Sequence, residues 1–137
     1  MLDVRRLPAI AAAVFALGAI APIQAYAFDL SGAWATDPEL CNRVFTKSAK
    51  GVTFAELSDL YGSGFIINGD KVRGKAARCT IKSRKQDGDT LSLFASCSSS
   101  IMNQNVEFRL KNVDDNKLTR LFPDMEGMHL TYSRCKL

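Results

Sequence analysis

Arg78-Cys79-Thr80-Ile81-Lys82-Ser83-Arg84-Lys85-Gln86-Asp87-Gly88-Asp89-Thr90-Leu91-Ser92-Leu93-Phe94-Ala95-Ser96-Cys97 is the stretch that decides the fold. Two alternating runs flank an Asp-Gly turn signal, the pattern of a β-hairpin. Cys79 and Cys97 lie symmetrically about Asp87-Gly88. Pairing them sets Ile81 opposite Ala95 and Ser83 opposite Leu93, so the mostly apolar side chains share one face. Thr80, Lys82 and Arg84 then share the other with Ser92, Phe94 and Ser96. Directly opposed strand residues lie within the Cα separation that a disulfide requires. Cys79–Cys97 is therefore the expected bridge, which leaves Cys41 to pair with Cys135.

The same reading extends outward. Leu30 to Ala35 reads as a strand, and Asp37-Pro38-Glu39 supplies an N-cap, a first-turn proline and a first-turn acid for a short helix from Pro38 to about Lys47. Strands are expected at Val52–Leu57 and Gly64–Asn68, then, after the Asn68-Gly69-Asp70 turn, at Lys71–Ala76. Beyond the hairpin, Val106–Leu110 alternates apolar and charged residues, and Leu118–Phe122 and Met128–Arg134 supply the last two strands. The fold class is mostly β: a single antiparallel meander of about eight strands, closed as a small barrel or folded as a sandwich, with one short helix.

Residues 1–27 read as an export signal. Arg5 and Arg6 precede an uncharged run from Ala9 to Ala21, and the small-x-small triplet Ala25-Tyr26-Ala27 follows. The run is shorter than the ~20 residues of a spanning helix, so no membrane span is expected after cleavage. The product, residues 28–137, forms one domain with only a mild basic excess, since the whole chain carries a net charge of +4. All four cysteines fall in that product, and an even count in an exported chain implies two disulfides and a periplasmic or secreted location. Zinc is the competing use of cysteine, but the chain has no C-x-x-C pair.

Gly32-Ala33-Trp34 near the start and Arg134 near the end resemble the lipocalin-like, or calycin, pattern. The resemblance implies a barrel with Trp34 closing one end and Arg134 packed across its ring, Gly32, Trp34 and Arg134 being structural residues. The chain also resembles, in size, G-x-W opening, export signal and disulfide, the small periplasmic β-barrel inhibitors of secreted metalloproteases. The helix at Pro38 and the second cysteine pair depart from both families.

Two further groups carry chemistry. Lys71, Arg73, Lys75, Arg78, Lys82 and Arg84 form a basic ribbon without an acid, suited to an anionic partner. The alternative is a solvated face whose lysines discourage edge-to-edge aggregation. Met125, Met128 and His129 offer thioether and imidazole ligands that suit Cu(I) if a helical turn brings them together, against a reading as core filler beside an exposed histidine. No nucleophile elbow, activated thiol, phosphate loop or dinucleotide fingerprint is present.

The expected role is an exported, non-enzymatic binding or interaction domain of the bacterial envelope, without a cofactor, whose partner is an envelope protein or a small ligand. Inhibition of a secreted or periplasmic hydrolase is the alternative, and copper handling a third reading. Nucleic acid is disfavoured by export and by the single aromatic among the charges, Phe94. An open, apolar barrel mouth would favour a ligand, whereas a filled core with a projecting loop would favour an inhibitor. The exported protein should begin at Phe28. Amino-terminal sequencing of secreted material checks this, and an intact Met1 would refute it.

Overall fold

A computed structural model describes Gly18 and residues 28–137, so the expected export signal, Gly18 apart, lies outside the described residues. The strands are β1 (Gly32–Ala35), β2 (Phe45–Ser48), β3 (Gly51–Phe54), β4 (Gly64–Asn68), β5 (Lys71–Arg73), β6 (Ala77–Asp87), β7 (Thr90–Ser99), β8 (Asn103–Asp114), β9 (Lys117–Leu121) and β10 (His129–Arg134). The helix α1 (Cys41–Val44) follows a 3-10 turn at Pro38–Leu40, and a second such turn spans Ser58–Leu60. Strands β4 to β10 follow one another as an antiparallel meander. β1 then pairs with both β4 and β10, which closes an eight-stranded barrel with the β2–β3 hairpin outside it.

Alternation along the strands sorts two cores. Trp34, Ile67, Val72, Leu93, Leu110, Leu118 and Tyr132 point into the barrel with the Cys79–Cys97 bridge. Ala33 and Ala35, which flank Trp34, point outward with Ile66 and are covered by Val44 and Phe45 of the inserted helix and hairpin. Gly64 makes that second core possible: a Cβ there would come within 2.5 Å of the Trp34 carbonyl oxygen and 2.8 Å of the Phe45 ring. Cys41 and Cys135 pair at 5.6 Å between Cα atoms, so the insertion is stapled to the carboxyl-terminal segment. Closing a loop of that length stabilises the fold by about 4 to 5 kcal/mol in the chain-entropy description. Both bridges have the expected connectivity.

Two local expectations are corrected. The helix stops at Val44 rather than near Lys47, because Phe45-Thr46 belongs to an aromatic and β-branched run that favours strand. Phe45 pairs with Phe54, ring centroids 5.2 Å apart. In the β6–β7 hairpin, Cys79 faces Cys97 and Ile81 faces Ala95 as expected, but a bulge between Ile81 and Ser83 then shifts the register. Ser83 lies opposite Phe94 rather than Leu93, and Arg84 opposite Leu93. The extra residue lets the chain close on a two-residue Gly88-Asp89 turn instead of one centred on Gly88.

Trp34 and Arg134 close one barrel end. The Trp34 ring is fully buried, its Nε1 donates to the Leu30 carbonyl at 2.9 Å, and the Arg134 guanidinium carbon sits 4.3 Å from the ring centroid. Arg134 also donates to the carbonyls of Ser31, Asp29 and Asp115. Gly32 stands beside it at φ +128°, where any Cβ would lie 3.3 Å from Arg134 Nη1. The Ser31 amide donates to the Asp29 carboxylate and holds its pKa below the ordinary value, Arg134 contributing less. A lowered carboxylate pKa makes this fastening complete at neutral pH and weaker as pH falls through the lowered value.

Trp34→Ala should cost about 3 to 5 kcal/mol through lost burial and a residual cavity. In a double-mutant cycle with Arg134→Ala the losses should overlap by about 0.5 to 2 kcal/mol, the scale of a cation over an aromatic face. Denaturant titration of the four oxidised proteins measures the overlap. Strict additivity, or a native Trp34 emission maximum typical of full solvent exposure, would rule the packing out.

Candidate functional site

Opposite the closed end the barrel holds a cavity of about 270 Å³. Its origin is a run of small inward groups, Gly74, Ala77 and Cys79, on the wall that it shares with the larger Phe65, Phe108 and Tyr132. Tyr132 meets Phe65 edge-on at 4.8 Å between centroids. One charged residue lines the space. Arg120 lies two residues after the fully buried Leu118 on β9, so alternation turns it inward. Its guanidinium carbon sits 4.8 Å from the Phe108 centroid and 4.7 Å from that of Phe122. The Arg120 side chain makes no hydrogen bond or ion pair with any described residue, so the rings hold the cation while its donors stay free.

The loops at this end carry most of the large apolar side chains left in water. Leu57 and Leu60 precede β4, Ile101 and Met102 join β7 to β8, and Met125 and Met128 join β9 to β10. The antiparallel registers put all three loops at the end of the barrel away from the Gly69-Asp70, Gly88-Asp89 and Asp115-Asn116 turns. Leu57 adopts a left-handed conformation at φ 57° and is 61% exposed. A branched residue held there is strained by about 1 to 3 kcal/mol, the kind of outlier that clusters at functional loops. Lys75 fastens this loop, donating to Ser58 Oγ at 2.7 Å and the Ala55 carbonyl at 3.2 Å while pairing with Asp59 at 3.4 Å. Arg43 of α1 lies over the Tyr61 ring.

The six residues of the basic ribbon divide three ways. Lys71, Arg73, Arg78 and Lys82 line one shallow groove on the outside of β5, β6 and β7. Lys75 is spent on the mouth loop. The bulge that follows Ile81 takes Arg84 off the outer face, and its Nη2 donates to the Gly69 carbonyl at 3.0 Å. Edge protection does not account for the grooved group, because β5, β6 and β7 are interior members of a closed ring.

Met125, Met128 and His129 are not brought onto a helical turn. The Met125 amide bonds to Phe122 and the Met128 amide to Met125, giving two successive turns, and His129 opens β10. Among the described residues no group of three His, Cys, Asp or Glu side chains converges to hold a metal. All four cysteines are in disulfides, which leaves no thiol nucleophile. Sequence reasoning missed Arg120 and the aromatics of the cavity. The signal was present in Leu118-Thr119-Arg120-Leu121-Phe122, where a cation falls in phase with inward apolar positions. No protein family, curated protein or solved structure matches this chain, so the functional reading rests on the site's geometry.

Proposed function

We propose that this is an exported, non-catalytic binding domain whose barrel takes up a small, mainly apolar molecule carrying one anionic group. The observation that carries this reading is Arg120, a cation without a polar partner among the described residues, set in the wall of an apolar cavity. The cavity falls just below the ~300 to 1,000 Å³ usual for small-molecule sites, which suits a short chain or a single ring. Hydrophobic burial would hold the body of such a ligand, and the guanidinium would take its carboxylate or comparable oxyanion through two parallel hydrogen bonds. Exposed Leu57, Leu60, Ile101 and Met102 give the ligand an apolar approach to the mouth.

An open mouth favours a ligand over inhibition of a hydrolase, which a filled barrel with a projecting segment would serve better. The two disulfides suit an oxidising compartment, in keeping with the export signal and with a periplasmic or secreted location. The closed eight-stranded ring, with Gly32, Trp34 and Arg134 at one end, is compatible with the calycin-like resemblance.

Titration calorimetry with octanoate and with octanol tests the reading. Octanoate should bind, and Arg120→Met should weaken it by about ten- to a hundredfold, the value of a hydrogen bond to a charged group, with little effect on octanol. Leu93→Trp, which fills the cavity floor, should abolish binding of both. Absence of octanoate binding, or equal loss of both ligands in Arg120→Met, would overturn the proposal.

A further inference from the structure

The outside of the barrel presents a second surface, on the strands β5 to β8. Cross-strand register aligns its outward side chains in two transverse rows. Arg73, Arg78, Ser98 and Asn103 form one; Lys71, Thr80, Ser96 and Asn105 form the other. At ~4.8 Å between strands each row is roughly 14 Å across. Neither row contains a carboxylate. Arg73 faces Arg78 directly, a like-charge pairing that destabilises a bare sheet and that a bound anion would relieve. Two of the cations are held in place: Arg73 Nη2 donates to the Val52 carbonyl at 2.5 Å, and Lys71 Nζ to Thr80 Oγ1 at 3.1 Å. Arg78 is exposed, and its side chain makes no hydrogen bond or ion pair with any described residue. Lys82, in the bulge, adds a further cation beside the second row.

The next row contributes an aromatic. Phe94 points outward, 42% exposed, between Ser83 and Glu107. Glu107 is already paired with Arg109 at 2.8 Å, so it does not oppose an anion here.

We propose that this face binds an acidic glycan, a polysaccharide bearing carboxylate, phosphate or sulfate groups. The arginines take the acid groups, in two-point contacts where geometry allows. The hydroxyls of Thr80, Ser96 and Ser98 and the amides of Asn103 and Asn105 both donate and accept, which matches sugar hydroxyls. Phe94 offers a flat apolar surface to the face of a sugar ring. Single-stranded nucleic acid is the poorer occupant, because it needs aromatic platforms for successive bases and this face has one. An acidic protein surface is poorer too, since the face lacks the buried aromatic and aliphatic anchors on which such contacts depend. The inference stands apart from the cavity reading and shares no residue with Arg120 or its two rings.

Heparin and polygalacturonate serve as acidic probes, with neutral dextran and a single-stranded oligonucleotide as controls, all against the oxidised protein at ~150 mM salt. Both acidic polymers should bind and dextran should not. Arg78→Gln, which breaks no intramolecular bond, should weaken heparin at least tenfold, and Phe94→Ser at least threefold, with Trp34 emission unchanged. Lys117→Gln, at the start of β9 at the closed end, should leave binding as it was. Dextran binding as well as heparin, an unaffected Arg78→Gln protein, or an oligonucleotide that outcompetes both acidic polysaccharides would each overturn the proposal.

Discussion

The guanidinium of Arg134 over the ring of Trp34 is the contact on which the rest of the architecture leans. A closed eight-stranded sheet has no free edges, but it has two ends, and each must be filled or used. At this end the filling is Trp34, and Arg134 covers it while donating to three backbone carbonyls from two separate segments. Asp29 and Ser31 come from the strap before β1, and Asp115 from the turn between β8 and β9. One side chain thereby joins both chain ends of the barrel to its middle. The strap also bonds to the indole nitrogen and lays Phe28 against Trp34, ring centroids 6.2 Å apart.

Closure at one end frees the other. Small inward groups on the wall near Cys79 leave space that Phe65, Phe108 and Tyr132 do not fill, and the loops around that space keep leucine, isoleucine and methionine in water. The inserted helix and β2–β3 hairpin are not used to plug the mouth. They cover the outward side chains of β1 and β4 instead, where the bridge to Cys135 anchors them. An insertion that builds its own core outside the barrel leaves the cavity at the mouth unfilled, and it also supplies Arg43 and Val52, which steady the mouth loop through Tyr61 and the groove through Arg73.

Much of this was legible in the residues. Alternation, turn chemistry and the symmetry of Cys79 and Cys97 about Asp87-Gly88 were enough for the antiparallel meander and both disulfides, because strand period and bridge geometry are local constraints; barrel and sandwich stayed open, since closure by β1 is a long-range pairing. The bulge after Ile81 was not legible: Lys82-Ser83-Arg84-Lys85 is polar throughout, so no apolar phase marks where one register gives way to the next. The helix boundary failed for a tertiary reason, the pairing of Phe45 with Phe54 across a hairpin that the helix reading had absorbed. Arg120 escaped notice because a cation beside Leu121-Phe122 reads as an exposed strand residue until the sheet is known to close.

Placement of charge ties the two surfaces together. Inside the barrel Arg120, half-buried against its two rings, has no carboxylate partner among the described residues, so an anion entering the cavity would meet an unpaired charge. Outside, four cations are arrayed among hydroxyls and amides, Arg73 half-buried and Lys71, Arg78 and Lys82 exposed, where contacts are screened and binding must come from several at once. On the two proposals the interior takes one small acid, and the exterior a repeating one. Their separation on the fold matters as much as their chemistry. The groove lies on the flank, its row from Arg73 to Asn103 next to the rim, and the mouth opens at the end, so a polymer held along β5 to β8 would cover outward side chains and leave the inward ones to a separate ligand.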